Sequence, residues 1–229
     1  LNMVTTPYAI SLDDDANFLS ENPLREILIY FEQNPICAVI SFRIFWGLNV
    51  PDKIESFQKA EVVKSFVGCG HAWRMEAWRV IPNYPAWYEM YGEENFASLQ
   101  LFKKGWEVHY LPSVLVHHRV DNKTRKENID YYLRGRKSLR ADWFNFFTFY
   151  PKSQLVKLLL YSIKAQLLKA KKTKNIIIVK NLFFALGDVV SRLRKLIRNR
   201  SSLSISHYKK WKELPDSKIY WKEIISMVW

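Results

Sequence analysis

Two cysteines, Cys37 and Cys69, are all that 229 residues contain. A structural zinc site takes about four ligands and a disulfide framework several pairs, so neither holds this chain together. The expected setting is therefore reducing and cytosolic. Long apolar runs are missing too. The best stretch, residues 155–168, is interrupted by Lys157 and Lys164, far short of the roughly 20 apolar residues a membrane span requires. No basic start, apolar middle and small-residue cleavage pattern marks a secretory signal, and the first residue is Leu1 rather than Met, which leads to the expectation of a longer protein upstream. Internal repeats and low-complexity tracts are absent. Acidic residues are scarce in one region only: residues 1–150 hold 17 basic and 18 acidic side chains, whereas residues 151–229 hold 18 and 4. The whole net charge of +13 thus sits in the last third, which suits an anionic partner such as lipid or nucleic acid, or else a solvated basic face.

What is present is a core-forming composition, with 48% hydrophobic and 15% aromatic residues. Residues 4–12 read as a buried strand ending at three aspartates, and residues 22–33 as a helix with Pro23 at its first position. The β-branched and aromatic run CAVISFRIFW (37–46) predicts another strand. A polar stretch at 49–59 leads to a short strand at 62–67 and the turn Gly68-Cys69-Gly70. Helices are predicted over 73–81 and 96–103, the second stopping near Gly105, and a strand over 107–117 with Pro112 near its middle. Alternating strands and helices imply an α/β layer fold. Several connections are too short for crossover helices, so the sheet should be mixed and flanked by helices. From residue 128 onward the pattern is helical. Leu182, Leu186, Val189, Val190, Leu193, Leu196 and Ile197 keep helical spacing among Arg192, Arg194, Lys195, Arg198 and Arg200, a basic amphipathic helix suited to a core, a partner helix or a membrane surface.

Asp13, Asp14 and Asp15 stand side by side at the end of the first strand. Like charges that close repel, unless a hard divalent cation with oxygen ligands comes between them. Open α/β sheets place ligands at the carboxyl ends of strands, so a metal-diphosphate clamp fits there, while capping of a helix N-terminus is the structural alternative. A second acidic pair, Glu93 and Glu94, follows Gly92 and opens a helix, where negative charge is favoured.

Taken in order and spacing, "LDDDA", "FVGCGHAWRMEAW" and "MYGEENFASLQLFKKGWEVHYLPSVLVHHR" resemble the inverting family 2 glycosyltransferases of the GT-A fold, in particular the bacterial rhamnosyltransferase-like branch. The resemblance covers about Pro7 to Arg119 and continues weakly through "YYLRGRKSLR". It implies a partial GT-A domain at 1–127, with the nucleotide-binding part missing, and a helical basic region at 128–229. It implies a nucleotide-sugar donor, a glycan or lipid-linked acceptor, a Mg²⁺ or Mn²⁺ cofactor, a place in polysaccharide or cell-envelope synthesis, and a cytoplasmic enzyme peripheral to the inner face of the membrane. Asp13 would face ribose or metal with Asp14 beside it, and Asp15 would ligate the metal with His118 nearby. Gly68, Gly70 and His71 would approach donor or acceptor. Glu94 would be the general base, paired with Glu93. Gln100 stands where the family usually has Arg, which removes a positive charge. A non-catalytic scaffold of the same fold is the main alternative. A nucleic-acid-binding role for the basic tail ranks below it, since no recognised motif supports it. Cys69 lacks an assigned base. Trp73, Trp78 and Trp87 could stack on sugar, with core packing as the alternative for at least two of them, and His109 and His117 read as packing or edge residues.

Overall fold

The structure, a computed structural model, describes residues 1–51, 54–121, 130–216 and 220–221. It divides into two units, the first formed by residues 1–83, 97–122 and 212–229, the second by residues 84–96 and 123–211. The expected boundary at 127/128 lies outside the described residues.

The first unit is a mixed sheet of β1 (Tyr8–Leu12), β2 (Ala16–Phe18), β3 (Cys37–Trp46), β4 (Glu61–Val63), β5 (Gly70–Arg74), β6 (Glu107–His118) and β7 (Tyr220–Trp221). Its path is β1-β5-β3-β6-β2, with β4 also on β6 and β7 also on β3. Parallel β3 and β6 run from Cys37 opposite Glu107 to Trp46 opposite His118. Because β5 is antiparallel to both β1 and β3, β1 points the same way as β3 and β6. Leu12, Trp46 and His118 therefore end three strands on one edge of the sheet.

The central strand explains its own sequence. Every residue of β3 before Trp46 is buried, and a strand covered on both faces reads as a continuous apolar run. Pro112 leaves a mark on β6: the register jumps from Phe42–Leu111 to Arg43–Leu115, since proline has no N–H to donate and the residues after it bulge out of the ladder. Ser20 ties this bulge, its Oγ donating to the Ser113 carbonyl at 2.9 Å and accepting from the Leu115 N–H at 2.7 Å. Helix α1 (Pro23–Gln33) buries Ile27 and Phe31 against Cys37, Ile40, Phe42, Ala72 and Val116.

Three expectations need correction. The first strand is confined to residues 8–12 and is half-buried, because β1 is an edge strand. The strand expected at 62–67 is β4, residues 61–63 only. Trp73 lies in β5, opposite Val39 and Ala9, so the helix expected from residue 73 is only α2 (Met75–Arg79); ladder pairing in mid-sheet outweighs local helix propensity.

Helix α3 (Glu93–Lys103) starts three residues before the expected position. The second unit contributes a single turn at Ala86–Tyr88, then α4 (Asp130–Phe149), α5 (Lys152–Thr173), α6 (Ile176–Ser191) and α7 (Leu193–Arg198), followed by α8 (Ile205–Glu213). Trp143, Phe144 and Phe149 are fully buried, with Tyr88 edge-on to Phe144 at 5.3 Å and Phe96 edge-on to Phe149 at 5.3 Å. Asn175 caps α6 by accepting from the Ile177 N–H at 3.0 Å. The basic amphipathic helix expected near 182–200 is two helices, α6 and α7, separated at Arg192. Leu182, Val189 and Leu196 face the core, while Val190 and Ile197 do not.

Candidate functional site

The three aspartates occupy a strand-to-strand turn. The Ala16 N–H donates to the Asp13 carbonyl at 3.0 Å, the Asp13 N–H to the Cys69 carbonyl at 3.3 Å and the Arg119 N–H to the Asp15 carbonyl at 2.9 Å. No helix follows, so helix capping is excluded as the reason for the cluster. Pairing of Ala16 with His118 across β2 and β6 brings the histidine to the base of this turn. His118 is 3% exposed. Its Nε2 lies 2.8 Å from Asp15 Oδ1 and 3.7 Å from Asp13 Oδ2. Its Nδ1 is buried and has no hydrogen-bond partner among the described residues. Trp46 stands edge-on to the imidazole at 5.3 Å. Ligand atoms of Asp13, Cys69 and His118 all lie within 4.8 Å of one another.

Cys69 joins the group as a thiol. Burial first, and then the Asp13 carboxylate, push its pKa up to about 12, and a protonated thiol is not a nucleophile, while a cation held beside it would displace that proton. Trp46 and Cys69 were not predicted as members of this cluster. Their only sequence signal is position, one at the end of the 37–46 run and the other inside the Gly-Cys-Gly turn.

Other predicted residues fall into different settings. Asp14 is exposed in the turn. Gly68 lies in the turn before β5. A Cβ on Gly70 would come within 2.7 Å of Ile44 Cδ1, so the missing side chain makes room for the packing of β3 rather than for a ligand. His71, read as a loop histidine, is buried in β5. One ring nitrogen lies 3.2 Å from the Val67 carbonyl, and Phe66 packs against the ring at 4.5 Å. Burial pushes its pKa down to about 4, so it is a neutral core residue at pH 7. Gln100 is buried on α3, and Glu93 and Glu94 form the half-buried first turn of that helix. Trp73 and Trp78 pack edge-on at 5.1 Å in the core, and Trp87 packs on Tyr88 and Phe144. His109 bonds Tyr30 and Glu107, and His117 Nε2 lies 2.7 Å from the Gly47 carbonyl.

The second unit holds a strained segment that an arginine network secures. Glu89, Tyr91 and Gly92 all have positive φ, at 66°, 71° and 84°, a conformation that costs non-glycine residues about 1–3 kcal/mol each. Arg140 holds the segment, its Nη2 donating to the Tyr88 carbonyl at 2.5 Å and its Nη1 to Glu89 at 3.0 Å. Arg192 also donates to Glu89. Asn145 donates to the Gly92 carbonyl at 3.0 Å and accepts from the Tyr88 hydroxyl at 3.1 Å. Asp188 receives Arg136 through two bonds of 2.8 and 2.6 Å. Arg136 and Arg140 are one helical turn apart in "RGRKSLR", a spacing that could have pointed to a shared partner.

A cavity of about 240 Å³ is lined by Leu19, Ser20, Glu21, Asn22, Glu26, Ile54, Ser113 and Leu115. No predicted site residue borders it. Compared with known proteins, the chain matches no family model and no curated protein.

Proposed function

We propose that this chain serves as an inverting family 2 glycosyltransferase of the GT-A fold, moving a sugar from a nucleoside diphosphate to a hydroxyl of a glycan or lipid-linked acceptor. One observation carries the reading: Asp13 and Asp15 converge on a buried histidine at the carboxyl ends of three strands of an α/β sheet, the edge where such sheets take their ligands.

The donor set suits a divalent cation. Ligand atoms of Asp13, Cys69 and His118 lie within 4.8 Å of one another, Asp15 reaches the same imidazole nitrogen at 2.8 Å, and among the described residues no Lys or Arg forms an ion pair with the three aspartates. Asp13, Asp15 and His118 would hold the ion. A Mg²⁺ shell is ordinarily all oxygen, so of the two expected cations the imidazole nitrogen favours Mn²⁺. Such an ion supplies charge neutralisation for a departing diphosphate. Glu94 is the proposed base and Glu93 its acidic neighbour. As the acceptor oxygen bonds to the anomeric carbon, its proton passes to the Glu94 carboxylate, while the bond to the donor oxygen breaks and its electron pair leaves with the diphosphate. Attack from the face opposite the leaving group inverts the anomeric centre, and no covalent intermediate is needed.

The test is donor hydrolysis and sugar transfer across a panel of nucleotide sugars with Mn²⁺ or Mg²⁺, for wild type, Asp15→Ala and Glu94→Gln. The expected result is turnover of one donor, loss of metal-dependent binding in Asp15→Ala, and loss of rate with binding retained in Glu94→Gln. Inertness toward every donor with metal-dependent binding intact would favour the scaffold alternative. A Glu94→Gln rate equal to wild type would remove the base assignment.

A further inference from the structure

Helices α6 and α7 turn one side to their core and a different apolar side outward. Leu182, Ala185, Val189 and Leu196 are buried, whereas Ile176, Phe183, Val190 and Ile197 are 64%, 68%, 71% and 65% exposed. These four recur every seven residues. Seven residues are close to two helical turns, so Ile176, Phe183 and Val190 share one stripe of α6, and Ile197 continues the spacing into α7. A single exposed apolar side chain is ordinary, but three on one stripe of α6, with a fourth exposed on α7 just beyond, make a patch.

The charge around this face has one sign. Lys180, Arg194, Lys195 and Arg198 are exposed beside it. Residues 151–200 carry 13 basic side chains and one acidic one, Asp188, which is buried and held by Arg136. α5 has the same chemistry, with Val156, Leu160 and Leu168 exposed among Lys157 and Lys164 and no acidic residue in the helix.

We propose that the outward face of α6 and α7 seats this protein on an anionic lipid bilayer, the apolar residues entering the headgroup boundary and the lysines and arginines meeting lipid phosphates. Charge selects this occupant. A second copy would set the same basic surface against itself, and a nucleic acid would engage the cations while leaving Ile176, Val190 and Ile197 without an apolar partner. Among the described residues no helix is long and apolar enough to cross a membrane, which leaves lying on the surface as the mode of contact. The inference is independent of the sugar-transfer reading, since none of these residues belongs to the aspartate turn.

Sedimentation of the full chain with phosphatidylcholine vesicles, with and without phosphatidylglycerol, tests it. One variant combines Ile176→Ser, Phe183→Ser, Val190→Ser and Ile197→Ser; another combines Arg194→Glu, Lys195→Glu and Arg198→Glu. All these positions are exposed, and circular dichroism checks that the fold is kept. Wild type should bind phosphatidylglycerol vesicles, and each variant should bind them roughly tenfold less or weaker still. Failure of wild type to bind overturns the proposal, as does a serine variant that binds like wild type. A wild-type dimer that the serine changes dissociate, with vesicle binding absent, would assign the face to a second copy. Salt-sensitive binding of a random oligonucleotide, again without vesicle binding, would assign it to nucleic acid.

Discussion

Acidic groups are handled in opposite ways by the aspartate turn and by the segment around Glu89. Glu89 and Asp188 are matched by three arginines, Arg136, Arg140 and Arg192. Asp13 and Asp15, adjacent to a third carboxylate, meet only His118 as an ion-pair partner among the described residues. The first arrangement is electrostatically complete and holds a strained backbone in place. Among the described residues the second is short of positive charge, and its histidine keeps a buried nitrogen without a partner. A structural ion-pair network has its counter-ions built in, whereas a cation site is built to receive one, and this distinction is the reason for placing function at the turn.

That contrast can be broken by substitution. The largest effect is expected at Arg140, whose side chain is 3% exposed. Arg140→Ala leaves the buried Tyr88 carbonyl without its donor and Glu89 with Arg192 alone in a strained segment, and should cost about 3 kcal/mol in urea unfolding. Next comes a difference in pH response. Because burial holds the His71 pKa near 4, the unfolded chain takes up a proton that the folded chain refuses once the pH falls below about 6.5. Stability should decline between pH 6.5 and 4 by on the order of 3 kcal/mol, and His71→Leu should flatten that window. Glu89 acts in a more acid range. Hydrogen bonding from Arg140, with the charges of Arg140 and Arg192, holds its pKa below 4.5, so its contribution is complete above that pH and is lost as the pH falls through the lower folded value. Double-mutant cycles of Glu89 with Arg140 at neutral and acid pH would show the coupling vanish only in the acid range. At Gly92, with φ of 84° and the Ala141 Cβ within 2.8 Å of where a methyl would stand, an alanine should cost about 1–3 kcal/mol in the same unfolding assay. The smallest effect has the opposite sign: Asp13→Asn or Asp15→Asn relieves like-charge repulsion and should raise metal-free stability by up to about 1 kcal/mol.

How far the sequence carried depended on the range of the forces. The boundaries of β3, α1 and β6 were legible because apolar runs, Pro23 and alternation act over a few neighbours. Trp73 was misplaced because its state is decided by pairing with Val39 and Ala9, which no local window contains. The pairing of Ala16 with His118, on which the candidate site depends, spans about a hundred residues; His118 was named through a resemblance, while nothing local pointed to Trp46 or Cys69 beside it. Gly70 and His71 were legible as unusual residues, yet their cause is packing against Ile44 and Phe66. The arginine network around Glu89 joins α4 to the end of α6 across some fifty positions, and only the spacing of Arg136 and Arg140 hinted at it. The outward stripe of α6 and α7 shows the same limit, since periodicity finds an apolar face without telling the core side from the exposed one.

Whether the aspartate turn binds a divalent cation is tested, without knowledge of the sugar, by direct titration of Mn²⁺ into the protein, followed by the electron paramagnetic resonance signal of the free ion. The expected result is one saturable site in wild type, a large loss of affinity in Asp15→Ala and in His118→Ala, and little change in Glu89→Gln, whose carboxylate already has its arginines. Equal Mn²⁺ binding by wild type and by both site variants, or no saturable binding at all, would contradict it.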